Sequence, residues 1–291
     1  MQEGNNHSRS LAANQVWAKE GVEMTASALD VENVSVSLNG AFAIRNISFS
    51  VQQGDLLGVV GPNGAGKTTL FRAILGLQNY SGKIKLFGYD ARKEYSTLLP
   101  MVGYVPQRVS FEPNFPATVA DIVALGLVPA KKLRKGEALL RKSGSSWNRI
   151  FDSTSSDRDK VAMALQIVGL ESLASRRIYE LSGGQQQRTF IAKALVKEPV
   201  LMILDEPVTG VDMEVQNKFY SVIRDINKEK KVTIIWASHD LTAISDHATK
   251  VACMNRDLFF HGGKDEFFSN DEALKNYSES AMQMHMHHHG N

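Results

Sequence analysis

The chain has 291 residues, is 43% hydrophobic and 22% charged, and carries a net charge of +2. This is ordinary globular composition, enough for one large domain or two modest ones, and the charge makes no case for nucleic acid as a partner. A single cysteine, Cys253, excludes an internal disulfide and fits a reducing compartment.

No run approaches the roughly 18 apolar residues of a membrane span, and the N-terminus lacks the apolar core of a secretory signal, so neither is expected. Residues 1–28 are polar and weakly patterned, and read as a flexible extension with Trp17 as a candidate anchor. From Leu29 the pattern is strand-like. Val31, Val34, Val36 and Leu38 form one run, Asn39-Gly40 is a hairpin turn, and the return run from Phe42 to Val51 alternates at Ile47, Phe49 and Val51. Gln53-Gly54 then turns into a buried strand, Leu56 to Val60.

The next nine residues are Gly61-Pro62-Asn63-Gly64-Ala65-Gly66-Lys67-Thr68-Thr69, which fit G-x-x-x-x-G-K-[ST]. A helix follows, with Leu70, Ile74, Leu75 and Leu77 expected on its buried face and Gly76 near its end. Strand, Gly-rich loop and helix are the context that a phosphate-binding loop requires. Glycine permits positive φ and leaves room for phosphate oxygens, and backbone N–H groups at the helix N-terminus supply positive potential. Lys67 is expected to reach the β- and γ-phosphates and the Thr68 hydroxyl to ligate Mg²⁺.

Further along, Ser81-Gly82 opens a strand from Lys83 to Phe87, which Gly88 and Tyr89 end. Another strand, Met101 to Val105, is terminated by Pro106-Gln107. Pro113 and Pro116 mark a loop, and Thr118 is the expected cap of a helix from Val119 to Leu127. Residues 131–142 are strongly basic and read as a solvated helix face, ahead of contact with anionic headgroups or an acidic partner. The stretch 143–157 is Ser-rich and reads as a mobile loop, and helical periodicity returns between Asp157 and Leu170 through Val161, Leu165, Ile167 and Val168.

Then come Leu181-Ser182-Gly183-Gly184-Gln185-Gln186-Gln187-Arg188, leading into a helix through Leu195, and an apolar strand from Val200 to Leu204 that ends in Asp205-Glu206-Pro207. Gly210-Val211-Asp212 precedes a helix to about Lys228, and the strand Val232 to Trp236 ends at Ser238-His239-Asp240. Cys253 lies in the apolar run Val251-Ala252-Cys253-Met254 and reads as a small buried residue. A strand from Leu258 into a turn at Gly262-Gly263 and a terminal helix over residues 273–286 complete the pattern. Strands alternating with helices indicate a mainly parallel sheet covered on both faces.

Together these motifs resemble the ATP-binding subunit of an ABC transporter, from about Leu29 to Phe268, and the Leu181–Gln185 segment is the most specific of them. The resemblance implies an α/β fold: a P-loop NTPase core with a mainly parallel sheet, an antiparallel β subdomain and a helical subdomain at about 108–180. The implied division is a 1–28 extension, a 29–270 ATPase domain, and a 271–291 helix with a His/Met-rich tail. ATP and Mg²⁺ are the implied cofactors. Lys67, Glu206 and His239 would be catalytic, with Glu206 acting on the attacking water and His239 near the γ-phosphate. Gly61 to Thr69 would hold the phosphates, and Thr68, Gln107 and Asp205 would serve Mg²⁺. Ser182, Gly183, Gly184 and Gln185 would cover the ATP of a second copy in a sandwich homodimer whose interface includes Asp212.

The resemblance implies other partners too: a membrane-spanning permease, met by the segment from Thr118 to Arg177 and the Gln107 loop, and indirectly an extracytoplasmic metal-binding protein. The implied location is peripheral, on the cytoplasmic face of the inner membrane. The family's adenine-stacking aromatic is replaced by Leu38, with Phe42 as a substitute or aliphatic packing alone. Gly103 to Arg108, Asn114 to Val119, Asp121 to Val123, and Phe259 to Gly262 resemble the manganese/zinc importer branch. Another cargo, such as iron or an iron chelate, is the alternative. Non-transport members are disfavoured by the absence of coiled coils and of a second cassette, and a degenerate metal-binding regulator by the intact motifs. His285, His287, His288 and His289 would suit Zn²⁺, Cu or Ni. The bland alternative for this tail is a disordered end or the remnant of a purification tag.

Overall fold

The computed structural model describes residues 27–107, 114–142, 155–208 and 213–288. The expected extension through residue 26, Arg108, Pro113, the Ser-rich stretch 143–154, Asp212 and His289 lie outside them. So do the side chains of His285, His287 and His288.

Two sheets organise the chain. The first is antiparallel, in the order β2 (Ala41–Gln52), β1 (Ser27–Leu38), β4 (Ser81–Leu86), β5 (Tyr89–Asp90). Its hairpin turns at Asn39 and Gly40, with φ of 51° and 81°. Two successive positive φ values match the right-handed twist of the strands, which is why Asn-Gly is favoured there. The second sheet runs β10 (Asp257–Gly263), β9 (Lys250–Asn255), β3 (Leu56–Val60), β8 (Thr233–Ser238), β7 (Leu201–Leu204), β6 (Val102–Val105). Its five strands from β9 to β6 pair in parallel, and β10 closes the edge antiparallel to β9. Every residue of β3, β7 and β8 is buried, as expected of continuous apolar runs in a sheet covered on both faces.

The helix after β3, α1, spans Lys67–Ile74 and is shorter than its apolar pattern suggested. Leu70 and Ile74 are buried, but Leu77 is 67% exposed, because the chain leaves the helix at Gly76, where φ is 70°. A second helix, α2 (Ala91–Leu98), was not legible in its mostly polar sequence. It starts on the Asp90 side chain, which accepts from the Arg92 N–H, and it passes into a 3₁₀ turn at Leu99–Met101. Thr118 caps α3 (Val119–Ala124) in a capping box with Asp121. The basic stretch is α4 (Ala130–Lys142), with Leu133 and Leu140 buried while Lys132, Arg134, Lys135, Arg141 and Lys142 face solvent.

Helices α5 (Asp157–Ile167) and α6 (Gly183–Leu195) pack with α3 around Val119, Ile122, Leu165, Ile191 and Leu195. The chain continues with α7 (Met213–Lys230), α8 (Leu241–His247), α9 (Lys264–Phe268) and α10 (Asp271–His288). Gly262 and Gly263, expected as a turn, pair with Val251 and Lys250 within β10. Cys253 is fully buried in β9, and burial pushes its thiol pKa strongly up, so it is an inert packing residue.

Helix α3 ends at Ala124, before the Leu127 expected from sequence, and Gly126 just beyond it packs closely on α6. A Cβ at Gly126 would overlap the Lys193 carbonyl oxygen. Gly126→Ala is therefore expected to cost roughly 1–3 kcal/mol of stability by overpacking, read as a lower urea midpoint with unchanged slope.

Candidate functional site

The site is built at the C-terminal ends of the parallel strands β3, β6, β7 and β8. After β3 the chain turns at Gly61, and a Cβ there would overlap the Met254 carbonyl oxygen at the end of β9. Gly64 and Gly66 have φ of 77° and 95°, and a Cβ at Gly66 would overlap the Ile44 side chain. The loop is thus wedged between the antiparallel sheet and β9, and glycine is required by backbone angle and by space alike. Its tip is held by the Ala65 N–H on the Pro62 carbonyl (3.1 Å) and the Arg256 N–H on the Ala65 carbonyl (2.9 Å).

Lys67 opens α1 and is only 4% exposed. Its Nζ donates to the carbonyls of Gly61 (2.6 Å) and Pro62 (3.0 Å) and pairs with Glu206 Oε1 at 3.0 Å. Glu206, 6% exposed, stands just beyond β7 with φ of 44°, a left-handed conformation costing on the order of 1 kcal/mol for such a residue. Its other oxygen accepts from Gln107 Nε2 at 2.8 Å. Gln107 follows β6 and Glu206 follows β7, so the parallel pairing of Val105 with Leu204 brings them together.

Asp205 is 1% exposed and accepts from the Thr68 hydroxyl at 3.1 Å and the Tyr104 hydroxyl at 3.5 Å. Burial raises its pKa, the Glu206 charge adds to this, and the Thr68 bond opposes it. Burial and Asp205 push the Tyr104 hydroxyl up to about 12. Tyr104 escaped notice in the sequence, because only the β6–β7 pairing carries it to a carboxylate so distant along the chain.

A cavity of about 530 Å³ opens over this cluster. Asn63, Gly64, Ala65, Gly66, Lys67, Thr68 and Thr69 line it together with Gln107, Glu206 and His239, while Gly61 and Pro62 contribute through their carbonyls to Lys67. Leu38, Phe42 and Arg256 also line it. Sequence gave no hint of Arg256, which arrives on the turn between β9 and β10. A second cavity of about 350 Å³ shares Glu206 and His239 and is otherwise lined by residues such as Gln216, Tyr220 and Asp240.

Ser182, Gly183, Gly184 and Gln185 do not line the first cavity. They form the N-terminus of α6, where Ser182 and Gln185 make a reciprocal capping box. Ser182 and Gly183 are exposed, and a Cβ on Gly183 would meet nothing within 4 Å.

A wedged glycine loop, a buried lysine at the start of a helix and a buried Asp-Glu pair at the end of β7, one strand removed from β3 across β8, define a P-loop nucleoside-triphosphatase. Comparison with known proteins narrows the class. Residues 44–209 match the ABC transporter family. The chain is 36% identical over 241 residues to the zinc uptake system ATP-binding protein ZurA of Listeria innocua, covering 82% of this chain and 87% of that one. It is 35% identical over 247 residues to the manganese transport system ATP-binding protein MntB of Halalkalibacterium halodurans, covering 85% and 90%.

Among solved structures, cbiO1 from Clostridium perfringens, part of the ABC transporter complex cbiONQ, superposes with a TM-score of 0.68 at 28% identity over 86% of this chain and 94% of that one. The ADP conformation of the ATP-binding cassette MJ1267 shares the fold, with a TM-score of 0.70 at 23% identity over 87% and 99%. The chain belongs to the ABC transporter family, as an ATP-binding, ATP-hydrolysing subunit. Such subunits work as dimers on a membrane permease, and among the described residues no helix is long and apolar enough to cross a membrane.

Because burial raises the Asp205 pKa, ionising that carboxyl costs stability, and the cost accrues as pH rises through its titration. In calorimetry without nucleotide, Asp205→Asn should melt above the parent at pH 7, with the difference shrinking as pH falls toward about 4.

Proposed function

We propose that this subunit hydrolyses ATP to drive uptake of a divalent metal ion, zinc or manganese, through a separate membrane partner. The observation that carries the hydrolytic part is the buried contact of Lys67, Glu206 and Gln107. The names of relatives that match over most of their length support the cargo.

In this reading Lys67 exchanges its carbonyl and Glu206 partners for phosphate oxygens when the triphosphate enters the loop. Glu206, released from Lys67, accepts the proton of the attacking water, and His239 holds the γ-phosphate from the other side. Thr68, Asp205 and Gln107 offer hard oxygen donors that fit Mg²⁺, and the 3.1 Å contact between Thr68 and a fully buried carboxylate supports that fit. When bound, Mg²⁺ neutralises phosphate charge. Phe42, 55% exposed at the cavity beside Leu38, serves as the adenine platform that Leu38 cannot provide. The Ser182–Gln185 helix end covers ATP in a homodimer, with Asp212 near the shared interface. The segment from Thr118 to Arg177 and the Gln107 loop meet the permease at the cytoplasmic face of the membrane, and an extracytoplasmic metal-binding protein delivers the ion. The division that goes with this reading is a 1–28 extension, a 29–270 ATPase domain and a 271–291 C-terminal helix with its tail.

Glu206→Gln should cut hydrolysis by roughly 10²–10⁴-fold, the range for a lost general base, while nucleotide still binds. Cells carrying it should lose uptake of labelled Zn²⁺ or Mn²⁺. Hydrolysis lost with both uptakes intact would remove the cargo assignment. Phe42→Ala should raise KM for ATP by roughly five- to a hundredfold at unchanged kcat, as expected for a lost base–aromatic stack.

A further inference from the structure

His239 is placed unusually. It follows directly on β8, every residue of which is buried, yet its own side chain is exposed and borders both cavities. The imidazole has no hydrogen bond among the described residues, so its position is set by the backbone on which it stands. That backbone is held at three points. The Asp240 N–H donates to the Ser238 hydroxyl at 3.0 Å, and the Asp240 carboxylate caps α8 by accepting from the Thr242 and Ala243 N–H groups at 2.8 and 3.2 Å. The third point is the carbonyl of His239 itself, which accepts from the Tyr277 hydroxyl at 3.0 Å.

Tyr277 belongs neither to the phosphate loop nor to the strands that build the site. It stands on α10, the last helix. It is half-buried and, with Leu274, packs against the main core, which includes Phe267 and Ala273, and the Ala273 N–H is held by the Asn270 side chain at 2.9 Å. The ring is therefore fixed independently of His239. Burial raises its pKa, which keeps the hydroxyl a protonated donor.

We propose that Tyr277 is a positioning residue for ATP hydrolysis: its bond to the His239 carbonyl fixes the 239–240 peptide and thereby aims the imidazole at the nucleotide cavity. This rests on the reading of His239 as a γ-phosphate contact. Without that bond the 239–240 peptide is held, among the described residues, only through its N–H on Ser238. A shift of its plane would displace the ring without touching the phosphate loop, and small misplacements of a reacting group are costly in rate. The bond affects the aim of His239 and not the loop that binds ATP, so its loss falls on kcat and spares KM. Helix α10 thus becomes an arm through which the C-terminal end of the chain bears on turnover.

The test is steady-state ATPase activity of the full chain with Tyr277→Phe, His239→Ala and the double variant. Tyr277→Phe should lower kcat by roughly three- to tenfold, the scale of one lost neutral hydrogen bond, with KM for ATP and the melting temperature unchanged. In the His239→Ala background, Tyr277→Phe should cost nothing further. Multiplying losses, a parallel rise in KM, or a lower melting temperature with kcat intact would each overturn the proposal and leave Tyr277 a fastening of α10. If His239→Ala itself keeps full kcat, the reading of His239 fails, and the proposal with it. If His239→Ala loses activity while Tyr277→Phe does not, only the proposal fails.

Discussion

A buried ammonium is the constraint around which the site is arranged. At 4% exposure Lys67 has lost nearly all its water, and an unpaired charge so placed would be strongly destabilising. The chain answers with two carbonyls and one carboxylate, at 2.6, 3.0 and 3.0 Å. The carbonyls face inward only because the loop turns sharply at glycines. The carboxylate arrives only because β7 lies one strand from β3, across β8, with all three in parallel register. Loop conformation, sheet order and the left-handed backbone of Glu206 all serve one charge. In the proposed reaction an arriving triphosphate offers that ammonium stronger partners, and the carboxylate it gives up would be the group that acts on water.

The antiparallel sheet is part of the same arrangement. Arg45 on β2 forms a paired hydrogen bond to Asp257 (2.9 and 2.7 Å), and its N–H donates to the Arg256 carbonyl at 2.7 Å. Arg256 in turn donates to Ala65 in the loop. The exposed Arg45–Asp257 pair contributes little energy by itself. Its role is register: with the backbone bonds it joins β2, the β9–β10 turn and the loop tip into one frame, so that Leu38 and Phe42 stand at the cavity.

Legibility in the sequence followed the range of the interactions. The loop, the Asn39-Gly40 hairpin, the Thr118 cap and the parallel apolar strands are local patterns, and each was readable from neighbouring residues. The relation of Asp205 to the loop came from motif resemblance rather than from spacing. Helix α2 was hidden because only Ala91 and Leu98 on it are buried, too few for a periodic signal. Leu77 misled because an apolar residue beyond a C-terminal glycine no longer shares the helix face. Tyr104, Arg256 and Tyr277 were invisible for a different reason. Each reaches the site through a pairing or packing contact between segments far apart along the chain, which leaves no periodicity to detect.

Gly183 carries the argument past the single chain. Glycine carries a conformational-entropy cost on folding, which backbone angle, crowding or a close-approaching ligand can justify. Gly183 has no positive φ, and a side chain there would meet open space. Nothing in its own chain calls for glycine, in contrast with Gly66, where angle and crowding both do. In the proposed dimer the glycine would let ATP approach the backbone more closely than a methyl group allows. A helix N-terminus with uncommitted N–H groups favours an anion in that position. The cavity over Lys67 is lined by phosphate-loop donors but by none from α6, so loop and helix end are complementary parts that one chain keeps apart. In the proposed head-to-tail dimer each part would complete the other's site, and hydrolysis would then depend on the partner copy.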